Sequence, residues 1–167
     1  MSRITTNRLV LRLACEDDLK ELHSIFSSPL AMKYWSTLPH THENQTSEFI
    51  NAMMSTQFDE GEDFIVELDG VVIGKAGFWR FPEIGYIFHP DYWGKGLASE
   101  AIAALIDYGF RERKIANIVA DVDPRNLRSI RMLERLGFHE TRREANTIKI
   151  GQDWCDSVYF SLNAPNG

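Results

Sequence analysis

The sequence is poor in cysteine: only Cys15 and Cys155 carry thiols. Two isolated thiols do not make a disulfide framework and suit a reducing compartment, so we expect a cytoplasmic protein. Long apolar runs are missing too, and nothing approaches the ~20 residues of a membrane-spanning helix. The opening Met1-Ser2-Arg3-Ile4-Thr5-Thr6-Asn7 lacks the apolar core of a secretory leader. There is no basic excess. The net charge of -6 speaks against a general nucleic-acid binder. Repeats, low-complexity segments and linkers are absent, and the length fits one domain, 1–167, able to bury a full core. Histidine is sparse. His40 and His42 are too isolated to read as a metal site and are expected on a surface loop, and no metal is expected.

Charge is unevenly spread. No Lys or Arg occurs from Tyr34 to Gly74, where eight carboxylates lie: Glu43, Glu48, Asp59, Glu60, Glu62, Asp63, Glu67 and Asp69. From Arg111 to Arg135 seven bases face four acids. The plain reading is two solvated faces. The asymmetry gains meaning only if each half adjoins a ligand of opposite charge.

Periodicity supplies the elements. Arg8 to Leu13 alternates like a strand. Glu16-Asp17-Asp18 sets acids before a helix striped by Leu19, Leu22, Ile25 and Phe26, which Ser27-Ser28-Pro29 ends. Thr41 is placed to cap a second helix carrying Phe49, Ile50, Met53 and Met54. Phe64–Leu68 and Val71–Ile73 flank Asp69-Gly70, a signal for a two-residue hairpin turn. Glu83–Phe88 is a short strand ended by His89-Pro90. Leu97 to about Arg113 is a helix, with Ala98, Ala101, Ile102, Leu105, Ile106 and Phe110 on one face. A strand over 115–122 follows, then a helix with Leu127, Ile130, Leu133 and Leu136, stopped by Gly137. Phe138 onward and Ser157–Leu162 are closing strands. The order β-α-α-β-β-β-α-β-α-β-β predicts an α+β fold in α/β/α layers, with a central mixed, mostly antiparallel sheet.

Between a strand and a helix lies Tyr92-Trp93-Gly94-Lys95-Gly96-Leu97-Ala98. Two glycines let a ligand approach the backbone, and the first amides of the helix point outward with the positive end of its dipole. A pyrophosphate would fit, although a lone G-x-G is equally a tight turn. It matches neither the P-loop nor G-x-G-x-x-G, since Ser99 stands where the last Gly would be.

Glu83-Ile84-Gly85-Tyr86 followed by Pro90-Asp91-Tyr92-Trp93-Gly94-Lys95-Gly96-Leu97-Ala98-Ser99-Glu100-Ala101 resembles the coenzyme A loop of the GCN5-related N-acetyltransferases. Asn126-Leu127-Arg128-Ser129 and Leu136-Gly137-Phe138 resemble that family's second hallmark segment. Thr6-Asn7-Arg8-Leu9-Val10-Leu11-Arg12 and Trp154-Cys155-Asp156-Ser157 look like the branch that acetylates N-termini of ribosomal proteins. The resemblance implies a sheet splayed between its fourth and fifth strands. Acetyl-pantetheine would insert there and pair with backbone near Ile87 and Phe88. The pyrophosphate would rest on the amides of Gly94, Lys95, Gly96, Leu97, Ala98 and Ser99, next to Trp93, which stands where the family usually has Gln or Arg.

The implied reaction is acetyl transfer from acetyl-coenzyme A to a primary amine by direct attack. Glu83 is the candidate general base, through water; a strand-end carboxylate pairing with a nearby Arg is the equally weighted alternative. A backbone N–H near Phe88 would hold the oxyanion. The tyrosine that many relatives use as general acid is replaced by Leu133. Ser129 would donate to the sulfur directly or through water, ahead of Tyr92, although first-turn capping also accounts for it. Asn126 would contact pantetheine, cap its helix, or both. His89 borders the loop, within reach of substrate, but fits better as a strand-end polar residue. The leading acceptor is a protein N-terminal α-amine. The alternatives are a small cationic amine, such as a polyamine or aminoglycoside, and a non-catalytic acyl-coenzyme A sensor. The partner expected is a cationic amine acceptor, with no direct nucleic-acid or membrane contact, for a monomer or homodimer.

Overall fold

The computed structural model of the chain describes residues 2–166; Met1, part of the opening segment read above, lies outside them. Eight strands are present: β1 (Arg3–Thr5), β2 (Leu9–Arg12), β3 (Glu62–Leu68), β4 (Val71–Arg80), β5 (Glu83–Phe88), β6 (Asn117–Val122), β7 (His139–Ile150) and β8 (Asp153–Asn163). The helices are α1 (Leu19–Phe26), α2 (Glu43–Ser55), α3 (Leu97–Arg111) and α4 (Leu127–Arg135), with 3-10 turns at Glu16–Asp18 and Pro90–Tyr92. The strands form one mixed sheet in the order β1-β2-β3-β4-β5-β6-β8-β7, in which only β5 and β6 are parallel.

Each face of the sheet buries its own apolar layer. Phe64, Val66, Phe78 and Ile84 pack with Leu97, Ile102 and Leu105 of α3 and with Ile130 and Leu133 of α4. On the other face Ile65 and Ile87 pack with Leu22, Ile25 and Phe26 of α1 and Ile50 of α2. Period-two alternation in the strands sends neighbouring residues to opposite layers, and this sandwich follows.

Asp69 and Gly70 turn the β3–β4 hairpin with φ of 51° and 78°, both positive as the two-residue turn requires. Gly137, φ 97°, follows the Leu136 cap of α4. Other boundaries shift. β1 precedes the first expected strand, so the splay expected between the fourth and fifth strands lies between β5 and β6. The second helix is capped at His42 rather than Thr41, because Gln45 Oε1 accepts from both the Thr41 amide (2.7 Å) and the His42 amide (3.2 Å). β4 runs seven residues past Ile73, and α3 stops at Arg111. His40 is no loose loop residue. It stacks on Phe26, and its Nδ1 lies 2.8 Å from Thr46 Oγ1.

Candidate active site

Near the middle of the sheet the hydrogen-bonded ladder fails. β5 and β6 register at one pair, Glu83 with Val119, and then diverge toward the C-terminal end of β5. A wedge of about 470 Å³ opens there, walled by Gly85, Tyr86, Ile87 and Phe88 on one side and by Ala120 to Asp123 on the other. Splayed strands leave backbone donors and acceptors unmet by a neighbour, so an extended, amide-bearing ligand can complete them.

The glycine loop sits beside this wedge. Gly94 and Gly96 take φ of 74° and 73°, the left-handed region that other residues enter at a cost. Gly96 caps α3 with no side chain, so the leading amides of Leu97, Ala98 and Ser99 face outward. Gly94, Lys95 and Gly96 are all exposed. The loop is braced from the chain start. Arg8 reaches Glu100 from its amide (2.8 Å) and its Nε (2.6 Å), and Nη1 donates to the Lys95 carbonyl (2.9 Å). Thr6 Oγ1 adds a 2.6 Å bond to the same carboxylate. Burial raises and these bonds lower the Glu100 pKa, and the net direction is down.

Trp93, the departure from the family pattern, has a local role. Its indole N–H donates to the Phe88 carbonyl at 2.9 Å, and Arg128 of α4 lies over its ring. One of the backbone groups expected to meet pantetheine is therefore already engaged. Asn126 caps α4, its Oδ1 accepting from the Ser129 amide at 3.3 Å. Ser129 is buried, lines the wedge, and its hydroxyl meets that of Tyr86. Lys33 and Arg128 give the same wedge a basic rim suited to phosphates, while Arg125 beside them is held by Asp123. Tyr92 Oη has no role in the wedge wall; the Lys95 ammonium sits over its ring. His89 caps the Pro90–Tyr92 turn, Nδ1 accepting from the Asp91 amide.

A second cleft of about 670 Å³ lies on the α2 side, between α2 and the β7–β8 hairpin. The two clefts share Tyr34, Trp35, Ile84, Gly85, Asp121 and Asp123, so a donor in one and an acceptor in the other would meet there. Glu83 lines the second cleft, with Arg80 Nη2 at 3.3 Å from its carboxylate. Both readings of Glu83 thus keep a geometric basis. Asp121, Asp123 and Asp156 line the same cleft. Asp123 is held by Arg125 at 2.7 Å; burial raises its pKa, but the Arg125 hydrogen bonds prevail and lower it. Burial pushes Asp121 up, against a hydrogen bond from Ser157.

The stretch free of Lys and Arg lines this cleft through Tyr34, Trp35, Phe49 and Met53, but most of its carboxylates lie elsewhere. Of its eight carboxylates only Asp63 lines the cleft. Strand alternation sends Glu62 to the opposite face, where it meets Tyr108 and Arg113. Asp59 and Glu60 are exposed on the turn before β3. The other cleft acids come from β5, from β6 and the residue just past it, and from β8. Asp63 itself forms a buried pair with Lys75 at 2.5 Å, and the Lys75 ammonium also faces the rings of Trp35 and Phe49. Burial pushes the Asp63 carboxyl up against the pull of that ammonium. Its Oδ1 has no polar partner among the described residues and rests against Gly77, where a Cβ would lie 2.7 Å away.

Sequence reasoning missed Tyr86 and the Asp63–Lys75 pair. Tyr86 was legible as an alternating neighbour of Gly85 and Ile87, but its contact with α4 crosses 43 residues. Among the described residues no group of three or more His, Cys, Asp or Glu is gathered to hold a metal ion, and no helix is long and apolar enough to cross a membrane.

Residues 8–139 match the acetyltransferase (GNAT) domain family. The crystal structure of a GNAT-family acetyltransferase from Bacillus anthracis superposes with a TM-score of 0.86 at 31% identity, covering 97% of this chain and 98% of that one. The spermidine N(1)-acetyltransferase of Escherichia coli K12 is 30% identical over 77% of this chain and 71% of its own. The [ribosomal protein uS5]-alanine N-acetyltransferase of the same strain is 28% identical over 98% and 92%.

Proposed function

Since the chain belongs to the GNAT acetyltransferase family and is an acetyl-coenzyme A-dependent N-acetyltransferase, we propose that its acceptor is a cationic primary amine, foremost the α-amine of a basic protein N-terminus. One observation carries this reading: the cleft that meets the wedge is lined by Glu83, Asp121, Asp123 and Asp156. A cleft lined mainly by one sign of charge concentrates ions of the other. Two of the four already hold Arg125 or Arg80, which leaves Asp121 and Asp156 as the freer attractors.

Acetyl-coenzyme A supplies the acetyl group. Its phosphates are assigned to the amides of Gly94 to Ser99 and its pantetheine to the wedge beside Ile87 and Phe88, with Asn126 and Ser129 opposite. The unfilled ladder, the left-handed glycines and the basic rim support that fit. Amide formation needs a neutral nitrogen. Glu83, through water, takes the ammonium proton and passes it to solvent; the neutral nitrogen then attacks the carbonyl carbon, and the second nitrogen proton, released as the amide forms, leaves by the same carboxylate and water. A backbone N–H near Phe88 steadies the oxygen. The C–S bond then breaks with its electron pair on sulfur, and Ser129 donates a hydrogen bond to the thiolate, which solvent protonates. One carboxylate shared with an arginine is modest machinery. It suits an α-amine of pKa about 7.7–8.0 better than an alkylamine near 10.4.

A second reading, acetylation of a small polyamine, is favoured by the spread of four carboxylates along the cleft and by the spermidine acetyltransferase relative. The deciding experiment incubates the protein and acetyl-coenzyme A with an N-terminal peptide library beside a panel of polyamines and aminoglycosides, and reads free thiol. Turnover of basic-headed peptides is expected. Turnover confined to small amines would overturn the first reading in favour of the second.

A further inference from the structure

We propose that Tyr86 is a positioning residue for the leaving group: its phenol donates to Ser129 Oγ and so aims the serine proton into the wedge. The proposal rests on the assignment of Ser129 to the departing sulfur. Ser129 sits in the first turn of α4, where its amide is already satisfied by Asn126. A serine hydroxyl within a helix ordinarily turns back to a carbonyl of the preceding turn. Here it meets the Tyr86 hydroxyl instead, reaching from β5 across the wall of the wedge.

The direction of that bond follows from acidity. A phenol is a far better donor than an aliphatic hydroxyl and a poorer acceptor. Burial keeps it protonated: the Tyr86 hydroxyl is pushed up to about 12. Tyr86 therefore gives its proton to the bond, and Ser129 keeps its own for another acceptor. A hydroxyl that accepts from a strong donor is itself a stronger donor. Leu133 offers no hydroxyl and lies fully buried in the α3–α4 layer, so the Tyr86–Ser129 pair stands in for the missing tyrosine. No proton need leave Tyr86. The C–S electrons pass to sulfur, Ser129 hydrogen-bonds the thiolate, and water protonates it.

The test needs no acceptor. Free coenzyme A is bound to the protein, and its thiol is titrated with pH through the ultraviolet absorbance of the thiolate. Wild type, Ser129→Ala, Tyr86→Phe and the double variant are compared, with affinity for acetyl-coenzyme A measured by calorimetry. Wild type should hold the bound thiol more acidic than free coenzyme A. Ser129→Ala and Tyr86→Phe should each raise the thiol's proton affinity about tenfold, and the double variant no further. Calorimetric affinity for acetyl-coenzyme A should stay within about twofold of wild type in Tyr86→Phe. A Tyr86→Phe protein that titrates like wild type, while Ser129→Ala is shifted, overturns the proposal and leaves Ser129 in place. An unshifted Ser129→Ala removes Ser129 from the sulfur and takes this proposal with it. A Tyr86→Phe protein that loses acetyl-coenzyme A affinity assigns Tyr86 to packing and overturns the positioning role.

Discussion

Glu83 shows how one carboxylate can satisfy two accounts at once. It lines the second cleft and also shares its charge with Arg80, whose guanidinium stacks over Trp79. The ion pair is open to solvent on the arginine side and contributes little to stability. Activity separates the accounts. Glu83→Gln should lower kcat/KM by about 10²-fold at low pH, where the amine is protonated, and by less as pH rises past the amine's own pKa. An unaltered pH–rate profile would return Glu83 to a strand-end ion pair. At this scale much of the candidate site was legible: Glu83, the two glycines, Asn126 and Ser129 all border the two clefts or the loop. Which carboxylates of the acidic stretch reach the cleft was not legible, because sequence neighbours in a strand face opposite ways. Glu62 and Asp63 end on different layers, the first against Tyr108 and the second against Lys75.

Among the elements, the amphipathic helices and the short apolar strands β2, β3, β5 and β6 were readable, whereas β1, the middle of β4 and the length of β7 were not. α3 and α4 carry apolar stripes that a 3.6-residue period reveals. β1 has three residues and no pattern to detect. The middle of β4 reads Gly74-Lys75-Ala76-Gly77, a poor strand by propensity. It is one because β3 and β5 pair it on both sides, so closely that a Cβ on Gly74 would lie 2.3 Å from the Ile87 carbonyl. β7 is exposed over most of its length and held by pairing with β8, so alternation never marks it. The α1–α2 junction carries a prediction. Thr46 Oγ1 sits 2.8 Å from Nδ1 of both His23 and His40. One hydroxyl proton serves only one of them, so the other imidazole must donate. Burial, then the neighbouring His23, lowers the His40 pKa from the ordinary 6.5. The unfolded chain therefore binds the proton more readily than the fold. The contribution is fully present above pH 6.5 and is lost as pH falls toward the depressed folded value. Melting temperature should rise with pH through that window, and His40→Gln should flatten the rise. An equal slope in the variant would assign the dependence to other groups.

On the scale of the whole molecule, the outer parts of the two clefts differ in charge. Lys33 and Arg128 line only the wedge and Asp156 only the second cleft, while Asp121 belongs to the floor they share. A polyanionic donor and a cationic acceptor would thus approach from opposite sides without competing. The attraction on the acceptor side should fade with salt, since the Debye length falls from about 10 Å at 0.1 M to about 3 Å at 1 M. For basic acceptors KM should climb several-fold over that range, and Asp121→Asn with Asp156→Asn should blunt the climb. Neutral acceptors of similar shape should show little change. Equal KM for both classes at low salt would make the cleft acids a solvated rim.

The unfilled ladder between β5 and β6 also bears on how freely this chain can mutate. A pocket written in side chains is erased one substitution at a time. Here the groups left for a partner are main-chain amides and carbonyls, present whatever residue stands at Ile84 or Ile87, provided the strand survives. Random variation along β5 should therefore fall mainly on folding, through Ile84, Ile87 and Phe88 in the two apolar layers. Positions where loss of binding is separate from loss of fold should be few, and Gly94 and Gly96, exposed and left-handed, are the clearest of them.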